Sequence, residues 1–143
     1  MKSLATFAIG VAVLGCSARA ALGPVPTPFP MTTLWTTPLG ESIEGNLAAN
    51  DGAVFVATRD GVVRALAPAT GVVLWKAEGP ARRVISAGSG HLVARGLDGT
   101  VSSLNLGDGA TRWTAASGVK GDLAALVTED LVVVAGEGLA AFD

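Results

Sequence analysis

The sequence predicts an all-β chain of short antiparallel strands, on three observations. Turn dipeptides recur at near-regular intervals, Asp60-Gly61, Asp98-Gly99 and Glu137-Gly138. Apolar runs of strand length flank each turn: "AVFVATR", "HLVARGL" and "LVVVAGE" before it, "VVRAL", "VSSL" and "LAAF" after it. Helical periodicity is absent beyond the first residues. With 50% hydrophobic and only 15% charged residues, the chain has ample apolar surface to bury and reads as globular. A net charge of −2 leaves no basic footprint, so nucleic acid is not an expected partner. A single Cys excludes an internal disulfide.

The first element is a targeting segment. Lys2 precedes an uncharged apolar run from Leu4 to Gly15, and Cys16 follows. The run is too short to cross a bilayer, which takes about 20 apolar residues, and has the length of a signal-peptide core. "VLGC", Val13 to Cys16, resembles the lipobox of bacterial lipoproteins, in which the Cys is diacylated and becomes the new N-terminus. "ARA", Ala18 to Ala20, is the competing site for ordinary signal peptidase, with a soluble periplasmic or secreted product. Residues 1–16 are thus expected to be a signal peptide ending at lipidated Cys16. Ser17 stands where lipoproteins kept in the inner membrane typically carry Asp, so the resemblance implies the outer membrane, facing the periplasm.

Residues 17–32 follow, with Pro24, Pro26, Pro28 and Pro30 at alternate positions. Such spacing favours an extended, semi-rigid chain and suits a spacer between anchor and folded body. Then "TTLWTT" supplies a lone strand bearing Trp35.

From there the chain repeats. Trp35, Trp75 and Trp113 are spaced by 40 and 38 positions, and the turn dipeptides by 38 and 39. One period holds four expected strands, near Asn46–Ala49, Ala53–Thr58, Val62–Ala67 and Val72–Lys76, joined by "NDG", "RDG" and "PATG". Asp-Gly suits a tight hairpin, and Pro68 sets φ for a turn while being unfit for a central strand. Four short antiparallel strands per roughly 40 residues form the blade of a β-propeller. Val-, Ala- and Leu-rich strands without clean polar alternation fit burial on both faces.

At this repeat the chain resembles a known family. "ALAPATGVVLW", Ala65 to Trp75, is similar to the signature of quinoprotein-type (PQQ-like) propeller repeats, Ala-x-Asp-x-x-Thr-Gly-x-x-x-Trp. Ala65, Thr70, Gly71 and Trp75 match, and Ala67 replaces the Asp. "SLNLGDGATRW" keeps Gly109 and Trp113, has Asn105 at the Asp position, and loses the first Ala and the Thr. "AFD", Ala141 to Asp143, opens a third copy. The resemblance covers residues 33–143 and implies an incomplete propeller of about two and a half blades, since closed ones in such families need about 280 residues or more. The chain therefore reads as the N-terminal part of a longer protein, with "TTLWTT" as the outermost strand of a last, absent blade.

Catalytic chemistry is not expected from these residues. Quinoprotein dehydrogenases are implied to use a vicinal Cys pair with an Asp base and Glu and Asn ligands to Ca²⁺, and no Cys pair is present. Asp51, Asp60, Asp98, Asp108 and Asp122 precede Gly or sit in loops, where they form turns. His91 is a lone His with no cluster around it. Ser86, Ser89 and Ser103 have no base arrangement, and "GSG" and "GDG" open no helix that would cradle a phosphate. "ARR", Ala81 to Arg83, is expected to be a solvated pair of cations in the connection between blades. Trp35, Trp75 and Trp113, with Gly71 and Gly109, are expected to dock one blade on the next, because the same position recurs in each period.

No catalytic, cofactor-binding or metal-binding residue is expected. The resemblance implies a non-enzymatic lipoprotein scaffold like the propeller subunits of the outer-membrane β-barrel assembly machinery (BamB-like), with a protein partner and a membrane anchor at Cys16. Two alternatives stand beside it: the N-terminal part of a PQQ-dependent dehydrogenase, and a ligand- or carbohydrate-binding propeller lipoprotein.

Overall fold

The computed structural model describes residues 32–79 and 82–143. The signal segment, Cys16 and the Pro-rich spacer lie outside the described residues. The chain divides into two units, Met1–Thr32 and Thr33–Asp143, and the second carries the fold.

Among the described residues there are eleven strands and no helix. The first sheet is β1 (Ile43–Ala49), β2 (Val54–Thr58), β3 (Val63–Leu66) and β4 (Val73–Ala77), in that spatial order. The second is β5 (Arg82–Gly88), β6 (His91–Gly96), β7 (Thr100–Leu104) and β8 (Thr111–Ala116), again in order. The third has three strands, β9 (Leu126–Val127), β10 (Val132–Ala135) and β11 (Leu139–Phe142). Every pairing is antiparallel. These are the expected blades, an open part of a propeller.

Three of the four strands of the first sheet lie within a residue or so of their expected limits. β1 differs: it begins at Ile43, three residues before Asn46. Its pairing with β2 shifts between Ile43 and Leu47, a bulge around Gly45. A Gly inside a strand marks such bulges. "TTLWTT" differs too. Residues 32–39 adopt no strand, because no neighbouring strand extends a ladder to them, although Trp35 is anchored through its side chain.

Burial follows position in the sheet. The middle strands β2, β3, β6 and β7 are buried along nearly their whole length, whereas β1, β4 and β8 alternate. The second sheet lies between the other two, so its middle strands are covered on both faces. The core is accordingly two seams. Phe55, Val63 and Ala65 of the first sheet pack with Ile85, Leu92 and Leu104 of the second. Val93 and Val101 of the second pack with Val132 and Val134 of the third. At about 1.5–3 kcal/mol for each fully buried Val, Leu, Ile or Phe, these seams are the main favourable term holding the sheets together.

The bulge in β1 gives the first seam a polar lock. It presents Asn46 to β5, where Nδ2 donates to the Ile85 carbonyl (2.6 Å) and Oδ1 accepts from the Ile85 amide (3.1 Å). One side chain thereby makes two hydrogen bonds to Ile85 between sheets that share no ladder.

Candidate functional site: the seams between blades

Trp75 lies on β4 and reaches the β7–β8 turn of the next sheet. Its indole Nε1 donates to the Leu106 carbonyl at 2.8 Å, and its ring lies 5.8 Å from that of Phe55. Gly109 lies under the indole: a Cβ built there would stand 2.6 Å from ring atom Cε3. Gly109 also has φ +73°, in the left-handed region that favours Gly.

Trp35 repeats this geometry one sheet earlier. Its Nε1 donates to the Pro68 carbonyl at 2.8 Å, and the Thr37 hydroxyl donates to the Gly71 carbonyl at 2.7 Å. Gly71 has φ +69°, and a Cβ there would lie 2.5 Å from two ring carbons of Trp35. Trp113, on β8, is half-buried in the second seam with its ring 5.8 Å from Phe142.

The turns that receive the indoles explain the sequence signature. Gly71 N–H donates to the Ala67 carbonyl and Gly109 N–H to the Asn105 carbonyl. In the second copy Asn105 Oδ1 also accepts from the Gly107 amide (2.9 Å), a bond Ala67 cannot supply in the first. Thr70 and Asp108 occupy the same signature position. Each accepts from the amide two residues on, Val72 at 3.4 Å and Ala110 at 2.9 Å. An Asp at that position therefore substitutes for the Thr chemically.

Asp60 and Asp98 are engaged in their own hairpins. Asp60 Oδ1 accepts from the Thr58 hydroxyl (2.5 Å) and the Val62 amide (3.2 Å), and Oδ2 faces Arg64 Nη2 at 3.2 Å. The Thr58 hydroxyl, then the Arg64 guanidinium, hold its carboxyl down from 3.8 to about 2. Asp98 is lowered by the Thr100 amide and then its hydroxyl, both at 2.9 Å. A carboxyl whose folded pKa is depressed contributes stability that is fully present above its unfolded pKa and lost as pH falls through the folded value. The urea midpoint is therefore expected to drop between about pH 4 and pH 2, and Asp60→Asn to shrink that drop without abolishing it, since Asp98 still titrates. An undiminished drop in the variant would show that Asp60 does not carry it.

His91 opens β6 and lines a shallow groove with Trp113, Leu131 and Phe142. Among the described residues the buried Ser86 and Ser103 hydroxyls have no hydrogen-bond partner. Among the described residues no group of three or more His, Cys, Asp or Glu side chains is placed to hold a metal ion.

Two groups depart from the sequence reading. Arg82 and Arg83 belong to β5, not to a connection, and Arg83 Nη1 pairs with Glu44 Oε2 at 2.7 Å across the first seam. The bulged β1 brings Glu44 opposite β5, which "ARR" alone does not reveal. Arg95, read as part of an apolar strand, is 1% exposed. Its Nη1 donates to the carbonyls of Leu123 (3.1 Å) and Ala135, and its Nη2 to that of Val119 (2.8 Å). It ties β6 to the connection between the second and third sheets and to the end of β10. Its signal in the sequence is a lone cation inside "HLVARGL".

A family model described as "Outer membrane protein assembly factor BamB" matches residues 32–143. The chain belongs to this family. BamB from Moraxella catarrhalis is similar at 23% identity and TM-score 0.69, over 77% of this chain and 36% of that one. The chain thus spans about a third of that BamB's length. Quinohemoprotein alcohol dehydrogenase ADHIIG from Pseudomonas putida HK5 is similar at 19% identity and TM-score 0.61, over 75% of this chain and 20% of that one. The computationally designed Ika4 protein matches at 19% identity and TM-score 0.60, over 72% of this chain and 66% of its own. Likeness at these identities shows the fold alone. No protein of curated function matches the chain.

Proposed function

We propose that this chain is a non-enzymatic scaffold of the BamB type, facing the periplasm and binding a protein partner in outer-membrane β-barrel assembly. The observation that carries the proposal is the match of residues 32–143 to the BamB family model. The site chemistry agrees with it, since Asp60, Asp98 and Asp108 are committed to turns. Rigid blades present loop clusters at the rims, which suits recognition of another protein. In the same reading, Trp35, Trp75 and Trp113 fasten successive blades, with Gly71 and Gly109 giving two of the indoles room. Residues 1–16 are the signal peptide, Cys16 carries the lipid, and residues 17–32 are the tether.

The anchor is tested by labelled fatty-acid incorporation and envelope fractionation. The native chain is expected to take up label and sediment with outer membrane, and Cys16→Ser to lose both. Retention of label in Cys16→Ser would reject lipidation at that residue.

The dehydrogenase reading draws on the structural likeness to the quinohemoprotein enzyme. Equilibrium dialysis with pyrroloquinoline quinone and Ca²⁺ separates the two. The scaffold reading expects no saturable quinone binding, and stoichiometric binding would favour the enzyme.

A further inference from the structure

Asp-Gly occurs four times in the chain, as Asp51-Gly52, Asp60-Gly61, Asp98-Gly99 and Asp108-Gly109. The pair is chemically labile as well as turn-forming. The amide nitrogen after an Asp can attack that residue's own carboxyl, and Gly, with no Cβ and a permissive backbone, leaves the approach open. What holds the two groups in the folded chain decides whether they react.

At three of the four pairs both groups are held. The carboxylates of Asp60, Asp98 and Asp108 accept from the amide two residues on, Val62 at 3.2 Å, Thr100 at 2.9 Å and Ala110 at 2.9 Å. The glycine amides donate back to the main chain: Gly61 to the Thr58 carbonyl (2.8 Å), Gly99 to that of Gly96 (3.1 Å) and Gly109 to that of Asn105 (2.9 Å). All three glycines lie between φ +73° and +85°.

Asp51 differs because of Asn50. The amide two residues on from Asp51 is that of Ala53, and Asn50 Oδ1 takes it at 2.8 Å, together with the Gly52 amide at 2.9 Å. Among the described residues the Asp51 carboxyl has no hydrogen-bond or ion-pair partner. Asp51 and Gly52 are both exposed, and Gly52 lies outside the left-handed region that the other three glycines occupy. The Gly52 N–H points at Asn50 within the peptide plane, so the faces of its nitrogen stay open to Asp51 Cγ.

We propose that Asp51-Gly52 is a site of spontaneous isoaspartate formation, selected among the four Asp-Gly pairs by the fold. The Gly52 nitrogen bonds to Cγ of the protonated Asp51 carboxyl, and the amide proton leaves with the carboxyl OH as water. The resulting succinimide is then opened by water at either carbonyl. Opening at the side-chain carbonyl restores Asp; opening at the α-carbonyl leaves isoaspartate of unchanged mass. No reagent other than water is needed. In the isomer the main chain runs through Cβ and Cγ of residue 51 and is longer by a methylene. That lengthens the β1–β2 turn, which the Asn50 amide closes on the Ala53 carbonyl at 3.0 Å, next to the buried Ala53 of the first seam. This inference concerns a modification of the chain and stands apart from the scaffold reading.

Ageing the purified, folded chain in warm neutral buffer tests it. Peptide mapping separates isoaspartyl from aspartyl peptides of equal mass, and electron-transfer fragmentation places the isomer; deamidation of Asn50 would change the mass. Isoaspartate at residue 51 is expected to build up roughly tenfold faster than at residue 60, 98 or 108, the factor that one net hydrogen bond is worth. In urea, where these bonds are gone, the four sites are expected to age alike. Gly52→Ala keeps the fold, since a Cβ there meets only Asn50 Oδ1 at 3.6 Å, an ordinary contact, and is expected to suppress the product at residue 51. Absence of isoaspartate at residue 51, equal ageing of the four sites in the folded chain, a lead at residue 51 that persists in urea, or an undiminished product in Gly52→Ala would each overturn the proposal.

Discussion

Trp75→Ala is expected to lower the unfolding free energy by about 3 kcal/mol or more, the range found when a large packed aromatic is truncated. The half-buried indole packs in the first seam between Phe55 and Gly109, against the core. The Leu106 carbonyl loses its partner at the same time. Trp75→Phe is expected to cost less: it keeps an aromatic ring in the seam while dropping the N–H, worth about 1 kcal/mol, and the outer part of the indole. Urea titration followed by far-ultraviolet circular dichroism reads both. A domain with only about 5–15 kcal/mol in total will show the alanine variant as a large shift in midpoint. A loss below about 1 kcal/mol for Trp75→Ala would mean that the seam does not depend on its Trp.

Arg95→Met is expected to cost roughly 3 kcal/mol or more, through a different mechanism. Methionine fills similar space, so packing changes little. Three carbonyls, those of Val119, Leu123 and Ala135, then face an apolar side chain without their donors. An orphaned buried acceptor costs about 1–3 kcal/mol, while removing the buried charge returns part of that by ending its desolvation. Arg95→Lys is expected to rescue little, because an ammonium cannot reach three carbonyls that a planar fork reaches together. Hydrogen exchange gives the local readout. Amides in residues 117–123 are expected to lose protection in both variants before those of β2 and β3 do. Unchanged protection there would remove Arg95 from its place as the tie between the second and third sheets.

The repeat was legible because it is periodic in several kinds of residue at once. Trp75 and Trp113, the Gly of each signature and the Asp-Gly hairpins keep one spacing, and each marks a backbone feature that few other residues satisfy. What escaped the sequence is contact across seams. Asn46 acts on Ile85, 39 positions away, through the bulge around Gly45. Glu44 meets Arg83 only because β1 and β5 lie side by side. Arg95 satisfies carbonyls in two later segments, and no local pattern announces three acceptors converging on one guanidinium. Trp35 escaped in part: its indole holds the turn as its spacing implies, yet strand geometry needs a neighbouring strand that the local sequence does not contain.

The central claim, that this BamB-family chain serves as a protein-binding scaffold, is tested most directly by affinity purification from detergent-solubilised envelopes. The tagged chain is crosslinked in the cell beforehand, and its partners are identified by mass spectrometry. The account predicts stoichiometric recovery of a β-barrel assembly subunit. Recovery of folded, envelope-localised chain with no such subunit would contradict it.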